Sequence, residues 1–241
     1  MKILALDSSG LVASVALAED DNLLGEYTVN YKKTHSQTLL PMLDALGQMV
    51  ELDLTTLDAI AVAAGPGSFT GLRIGVATAK GIGLALDKPL VAVFTVDALA
   101  YNLWGSPGVV CPLMDARRGQ VYTGLYAFAE GQLEVLCPAE AVALEEIAEE
   151  CNRRGKSVTF LGDGVPVYRE RLEELLQVPH LYAPAHMNKQ RAASVAALGM
   201  EKFRRGESVS ARDLAPVYLR LSQAERERAQ REQMAAREAG Q

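Results

Sequence analysis

Two stretches of this chain, about half its length apart, read alike. Ile3-Leu-Ala-Leu6 is an apolar run that ends in Asp7, followed by the turn Ser8-Ser9-Gly10 and a second run from Leu11 to Leu17. Pro112-Leu-Met114 likewise ends in Asp115, followed by Ala116-Arg117-Arg118-Gly119 and the run Gln120 to Ala127. Short apolar runs bounded by Gly and Ser turns read as strands, so each stretch is a hairpin with a carboxylate at its corner. Such hairpins are common, and the context strengthens the pairing. Ala59 to Ala64 runs through Gly65-Pro66-Gly67 into a helical stretch from Thr70 to Leu86. Val158 to Leu161 runs through Gly162-Asp163-Gly164 into a helix from about Val167 to Leu176. The repeated order predicts an α/β chain of two lobes built on one plan.

The remaining pattern fills in that plan. Leu23 to Val29 and Leu90 to Thr95 read as strands, and Val96 to Leu103 as a short helix. Leu39, Leu40, Leu43, Leu46 and Val50 recur at helical spacing from Ser36 to Val50. Asn188 is placed to cap a helix from Lys189 to Arg205, and Pro216 to Arg220 reads as extended. The expected organisation is a first lobe over 1–105, a second over 106–221 and a tail over 222–241, with the helix near 188–205 returning to the first lobe. The tail segment Gln223 to Glu238 alternates Arg and Glu without an apolar stripe, which predicts a solvated, fraying helix.

With 241 residues, 49% of them hydrophobic, the chain has material for one large core or two lobes. Its net charge of -6 opposes stand-alone binding to a phosphate backbone, so any nucleic-acid contact has to be local or shared. Cys111, Cys137 and Cys151 form no CxxC pair and read as reduced core thiols. No run approaches the ~18 apolar residues of a membrane span, and the expectation is a soluble, cytoplasmic protein without membrane contact.

Several groups are candidates for chemistry. Asp7 and Asp115, facing one another across a cleft between the lobes, would suit magnesium and nucleotide phosphates, with Ser8 beside the first; Asp is equally a residue that stabilises turns through its own backbone. Arg117 and Arg118 would clamp a phosphate or carboxylate, or simply be solvated. Gly65-Pro-Gly-Ser-Phe-Thr-Gly71 joins a strand to a helix whose amides suit an anion, or is a tight turn capped by Ser68 or Thr70. It is no Walker A loop, because Leu72 and Arg73 stand where Lys and Ser or Thr are needed. Gly71, Gly75, Ala79 and Gly83 form a bare helical ridge, predicting close packing against the Ser36–Val50 helix or a helix of another subunit. Leu39, Leu43 and Leu46 would then offer apolar surface to that subunit. The histidines His35, His180 and His186 make no HExxH or paired site, so no metal centre is expected.

Four segments carry a resemblance: Ile3-Leu-Ala-Leu-Asp-Ser-Ser9, Ala64-Gly-Pro-Gly-Ser-Phe-Thr-Gly-Leu-Arg73, Met114-Asp-Ala-Arg-Arg-Gly-Gln-Val-Tyr122 and Pro216-Val-Tyr-Leu-Arg220. In this order they resemble the TsaB (YeaZ) family. The resemblance implies a two-lobed actin-like, Hsp70-like fold with duplicated ribonuclease H-like lobes. It implies a noncatalytic subunit in transfer of a threonylcarbamoyl group to the tRNA adenosine next to the anticodon. That subunit would pair with its catalytic paralogue TsaD through the helices Ser36–Val50 and Thr70–Leu86, or with itself when TsaD is absent. The ATPase TsaE would join the pair and tRNA would bind the assembly. Catalytic paralogues hold metal with an HxxxH pair just after the strand that here is Leu90 to Phe94; the corresponding positions fall near Thr95 and Leu99, which cannot serve. No catalytic residue and no cofactor beyond weak ATP or ADP binding is then expected. The alternative is an actin-like small-molecule kinase working through Asp7 and Asp115, and a metallopeptidase reading would need a bound metal.

Overall fold

In the strand β1 (Lys2–Asp7), side chains alternate between two cores, as the two-residue period of a pleated strand requires. Leu4 and Leu6 enter one core, and Ile3 and Ala5 the other. The structure, a computed structural model, describes residues 1–31 and 34–220. β1 pairs antiparallel with β2 (Ala13–Glu19), which pairs antiparallel with β3 (Asn22–Val29). On its other side β1 pairs parallel with β4 (Ala59–Gly65), which pairs parallel with β5 (Leu90–Phe94). The first core lies between this sheet and two helices, α1 (His35–Met49) and α2 (Phe69–Leu86).

The second half repeats the order. β6 (Val109–Asp115) pairs antiparallel with β7 (Gln120–Ala129), and β7 with β8 (Gln132–Ala143). β6 also pairs parallel with β9 (Val158–Leu161), and β9 with β10 (His180–Tyr182). The sheets therefore run β3-β2-β1-β4-β5 and β8-β7-β6-β9-β10 with the same strand directions. The helices α4 (Leu144–Arg154) and α5 (Val165–Leu175) cover one face of the second sheet over Val109, Cys111, Leu113 and Phe160. The other face meets α3 (Thr95–Tyr101), whose Val96, Leu99 and Ala100 pack on Val110, Met114 and Tyr126. Two lobes with one duplicated topology, joined over α3, are the actin-like arrangement.

The far face of the first sheet is lined by small residues, Ala5, Ala16, Ala59, Ala61 and Ala63. That thin face admits α6 (Ala192–Arg204) so closely that a Cβ on Gly199 would stand 2.6 Å from Ala61 Cβ. α6 begins at Ala192 rather than Lys189, and Asn188 does not cap it. Its first amides are satisfied from the sheet instead: Ala192 N donates to Ser14 Oγ at 2.9 Å and Ala193 N to Glu26 Oε1 at 3.0 Å. Glu26 also pairs with Arg191, placing a carboxylate at the positive end of the helix dipole.

Other boundaries moved for local reasons. Leu11 is 65% exposed in the turn, and β2 starts only at Ala13. β8 and α4 fill the stretch after the second hairpin, where Leu144, Ile147, Ala148 and Cys151 recur at helical spacing, and His180 opens β10 instead of lying in a loop. Pro216 to Arg220 joins no sheet. The charged tail expected over 222–241 lies outside the described residues. Among those residues, no helix is long and apolar enough to cross a membrane.

Candidate functional site

The corners of the two hairpins use one device. Asp7 Oδ1 accepts from Ser9 N at 2.9 Å, and Asp115 Oδ1 accepts from Arg117 N at 2.8 Å. Each is an Asx turn, in which a short carboxylate replaces a backbone acceptor two residues back. Beyond that bond the two acids differ. Asp7 is 1% exposed, also accepts from Ser9 Oγ at 2.6 Å, and leaves Oδ2 buried without a partner. Burial pushes its carboxyl up to about 6 from an ordinary value of 3.8, against the opposing pull of the Ser9 bonds. Asp115 is partly open and also accepts from Tyr168 Oη at 3.0 Å. Its own amide donates to Asp163 Oδ1 at 3.4 Å, and burial raises the Asp163 carboxyl.

The first hairpin is sealed by the glycine-rich loop. Ser68 N donates to Ser9 O at 2.7 Å, and Ser68 Oγ accepts from Gly71 N at 3.3 Å. Ser8 Oγ donates to Gly71 O at 2.9 Å. A Cβ on Gly67 would lie 2.2 Å from Ser9 O, and one on Gly71 only 2.1 Å from Ser8 O. Further along α2, a Cβ on Gly75 would meet Ser8 Oγ at 2.5 Å, and one on Gly83 would meet Leu90 at 2.8 Å. Gly71 and Gly75 of the bare ridge therefore meet the chain's own β1–β2 corner and Gly83 its β5 edge, while Ala79 lies in the first core with Leu39, Met42 and Leu46 of α1; all four positions are buried in the lobe. Leu39 and Leu46 are also core residues, 1% and 6% exposed, and Leu43 is half-buried against the same core. The outward apolar side chains of this face are others: Leu40 is 55% exposed, Met49 87% and Leu84 62%. Leu23 and Tyr27 on β3 are exposed as well.

Between the lobes lies a cleft of about 1130 Å³. Its walls include Ser9, Gly10 and His35 from the first lobe and Asp115, Arg117 and Asp163 from the second. Asp7 and Ser8 do not line it, so of the three residues expected to hold a nucleotide only Asp115 opens into it. His35 Nε2 bonds Gly10 O at 2.9 Å, and the Gln190 side chain sits where any Cβ on Gly10 would be, 2.6 Å away. In the second lobe Gly164 N is taken by Leu113 O at 2.9 Å and Gly162 N by Asn188 O at 2.9 Å. The amides of Gly162 and Gly164, in the second lobe's glycine turn, are thus already bonded within the protein.

The segment Leu214 to Arg220 straps the lobes together. Lys80 Nζ donates to Leu214 O at 2.9 Å, and Val217 N to Ala64 O at 2.7 Å. Tyr218 stacks on Phe69 with centroids 4.9 Å apart and accepts from Arg73 Nε at 3.2 Å. Arg73 in turn lies over the other side of that cluster, 3.9 Å from the Phe69 centroid. Arg220 Nη1 then reaches the second hairpin, donating to Ala116 O. The apolar character of Pro216 to Leu219 marked this segment in the sequence, but nothing local announced its partners. Thr95 and Leu99, near which the resemblance puts the metal pair of the catalytic paralogues, are 0% and 1% exposed within α3 and carry no imidazole. Among the described residues, no three His, Cys, Asp or Glu side chains converge.

Comparison with known proteins agrees with this frame. The family model described as TsaD, tRNA N6-adenosine threonylcarbamoyltransferase, matches residues 22–228. A Bacillus subtilis protein, tRNA threonylcarbamoyladenosine biosynthesis protein TsaB, is 37% identical over 93% of this chain and 96% of its own. The Escherichia coli protein of the same name is 31% identical over 91% and 95%. Among solved structures, YeaZ from Pseudomonas aeruginosa superimposes with a TM-score of 0.79 at 30% identity, covering 90% of this chain and 99% of that one. On sequence, on topology and on the placing of its glycine-rich loop, the chain belongs to the TsaB (YeaZ) family of tRNA threonylcarbamoyladenosine biosynthesis proteins.

Proposed function

We infer that the chain is the noncatalytic partner subunit for transfer of the threonylcarbamoyl group to the tRNA adenosine next to the anticodon. It acts by pairing with the catalytic paralogue TsaD and by giving the ATPase TsaE and the tRNA an assembly to bind. The observation that carries this reading is kinship with TsaB proteins, together with buried Thr95 and Leu99 near the positions where the resemblance puts the paralogue's metal pair. A chain of this lineage without those ligands has no means to activate an acyl donor as its paralogue does. A sealed Asp7 argues against the kinase alternative, which needs an accessible carboxylate for magnesium.

The pairing surface in this reading is the outward face of α1 and α2, with Leu40 and Leu84 as its apolar anchors. Without the paralogue the same face supports a homodimer, since an isologous contact uses one patch twice. The test is Leu40→Asp with Leu84→Asp. Both side chains are exposed, so the fold is retained, while sedimentation shows pairing with the paralogue lost and reconstituted tRNA modification lost with it. Modification that continues without pairing contradicts the reading.

A further inference from the structure

We propose that the mouth of the interlobe cleft is a docking groove for a single-stranded stretch of RNA, held through its phosphates by Arg117 and Arg220, which line it, and by Arg118 and Arg73 beside them. The proposal deepens the reading above, on which it rests, by assigning the surface that meets tRNA.

The turn between β6 and β7 is the first observation. Arg117, Arg118 and Gly119 are three consecutive residues in the left-handed region, with φ of 67°, 59° and 73°. A turn of that shape favours glycine, and side chains placed there are strained. Here two of the three positions are arginines, and the surroundings hold them in place. Asp115 accepts from Arg117 N at 2.8 Å, Tyr168 braces Asp115 at 3.0 Å, and Arg220 caps the carbonyl of Ala116. Bracing from three sides fixes the backbone from which the two arginines project.

The charge around them is the second. The chain carries a net charge of -6, yet beside Asp115 and Asp163 this edge of the cleft carries Arg117 and Arg220, with Arg118 and Arg73 adjoining. Among the described residues no carboxylate lies within 4.0 Å of Arg73, Arg118 or Arg220, and Arg117 meets only Asp115, at 3.6 Å. Arg73, Tyr218 and Arg220 are contiguous through the strap. Tyr31, 72% exposed, and the outer side of Tyr218, 39% exposed, add aromatic surface to the same cleft. Cations that follow a backbone and aromatics that accept any base are the pattern of sequence-tolerant single-strand grooves.

A free nucleotide fits less well. The Gly162 and Gly164 amides are bonded within the protein, Gln190 fills the space beneath Gly10, and Asp7 is sealed from the cleft. At about 1130 Å³ the cleft also exceeds the ~300–1,000 Å³ that one small ligand fills.

The test uses the full chain, alone and with its paralogue, and a fluorescein-labelled unstructured RNA of about 12 nucleotides, within the usual ~4–16 of such grooves. Anisotropy is read from about 50 to 200 mM salt. Arg117→Gly with Arg118→Gly removes the guanidinium groups and suits the left-handed turn, so thermal stability is kept or raised. The expected result is weaker RNA binding and a log–log salt slope shallower by about 1.4, at ~0.7 per lost phosphate contact, with unchanged pairing in sedimentation. Unaltered affinity and slope overturn the proposal, as does failure of the parent chain and complex to bind the RNA at all. Complete displacement of the RNA by millimolar ATP or ADP assigns the arginines to a nucleotide and also overturns it. Failure of the broader reading shows separately, as loss of any pairing between the parent chain and its paralogue.

Discussion

Asp7 and Asp115 make the same hydrogen bond in the two lobes, each Oδ1 taking the amide of the residue two positions on, at 2.9 and 2.8 Å. The duplication has left the turn alike and the surroundings different. One carboxylate is shut behind Ser9 and the glycine-rich loop, while the other faces a cleft rimmed with arginines.

Burial of Asp7 makes stability depend on pH. Its carboxyl titrates at about 6 in the folded chain and near 3.8 when unfolded, so between those values the folded state holds more protons. The associated stability is full below pH 3.8 and is lost as pH rises through 6, on the order of 2–3 kcal/mol. Asp7→Asn keeps an acceptor for Ser9 and removes the ionisation. Denaturant titrations are expected to find the variant about 2 kcal/mol more stable than the parent at pH 7.5 and indistinguishable from it at pH 4. Equal differences at the two pH values contradict the assignment.

Gly71 and Gly81 lie on the same helix and are expected to respond oppositely to alanine. A Cβ at Gly71 falls 2.1 Å from a backbone oxygen, Ser8 O, which has no rotamer by which to yield; the cost is at least about 3 kcal/mol. Nothing lies within 4 Å of a Cβ at Gly81, and Gly81→Ala gains up to about 1 kcal/mol in helix propensity. Thermal melts of the two variants check both signs.

The strap is held by few contacts, and Tyr218 is central among them. Tyr218→Ala removes the ring 4.9 Å from Phe69 and the acceptor for Arg73. A loss of about 1–2 kcal/mol is expected, with faster proteolytic cleavage near Leu214 while the lobes stay intact. Cleavage at the parental rate shows that the strap does not depend on this stack.

The repeat of strand, Asp, turn and strand was legible because hairpin periodicity and turn residues are local signals, and the glycine loops after β4 and β9 mark the ends of equivalent strands. Gly65 and Gly162 both adopt positive φ there, at 136° and 109°. What eluded local reading was set by distant partners. Ser14 and Glu26 fix where α6 starts, more than 160 positions away in sequence. The glycine ridge of α2 was visible, but whether Ser8, α1 or a second subunit fills it is decided only by the fold. Helical spacing likewise gathers Leu39, Leu40, Leu43 and Leu46 on one broad face without saying that Leu40 alone among them points outward. The arginine turn was visible as residues, whereas its strain and bracing depend on Tyr168 and Arg220 arriving from elsewhere.

The role in tRNA modification is tested most directly by mass spectrometry of nucleosides from total tRNA after depletion of this protein in its own host. Loss of threonylcarbamoyladenosine, restored by the parent gene and by Asp7→Asn but not by Leu40→Asp with Leu84→Asp, is the expected result. Unchanged threonylcarbamoyladenosine in the depleted cells contradicts it.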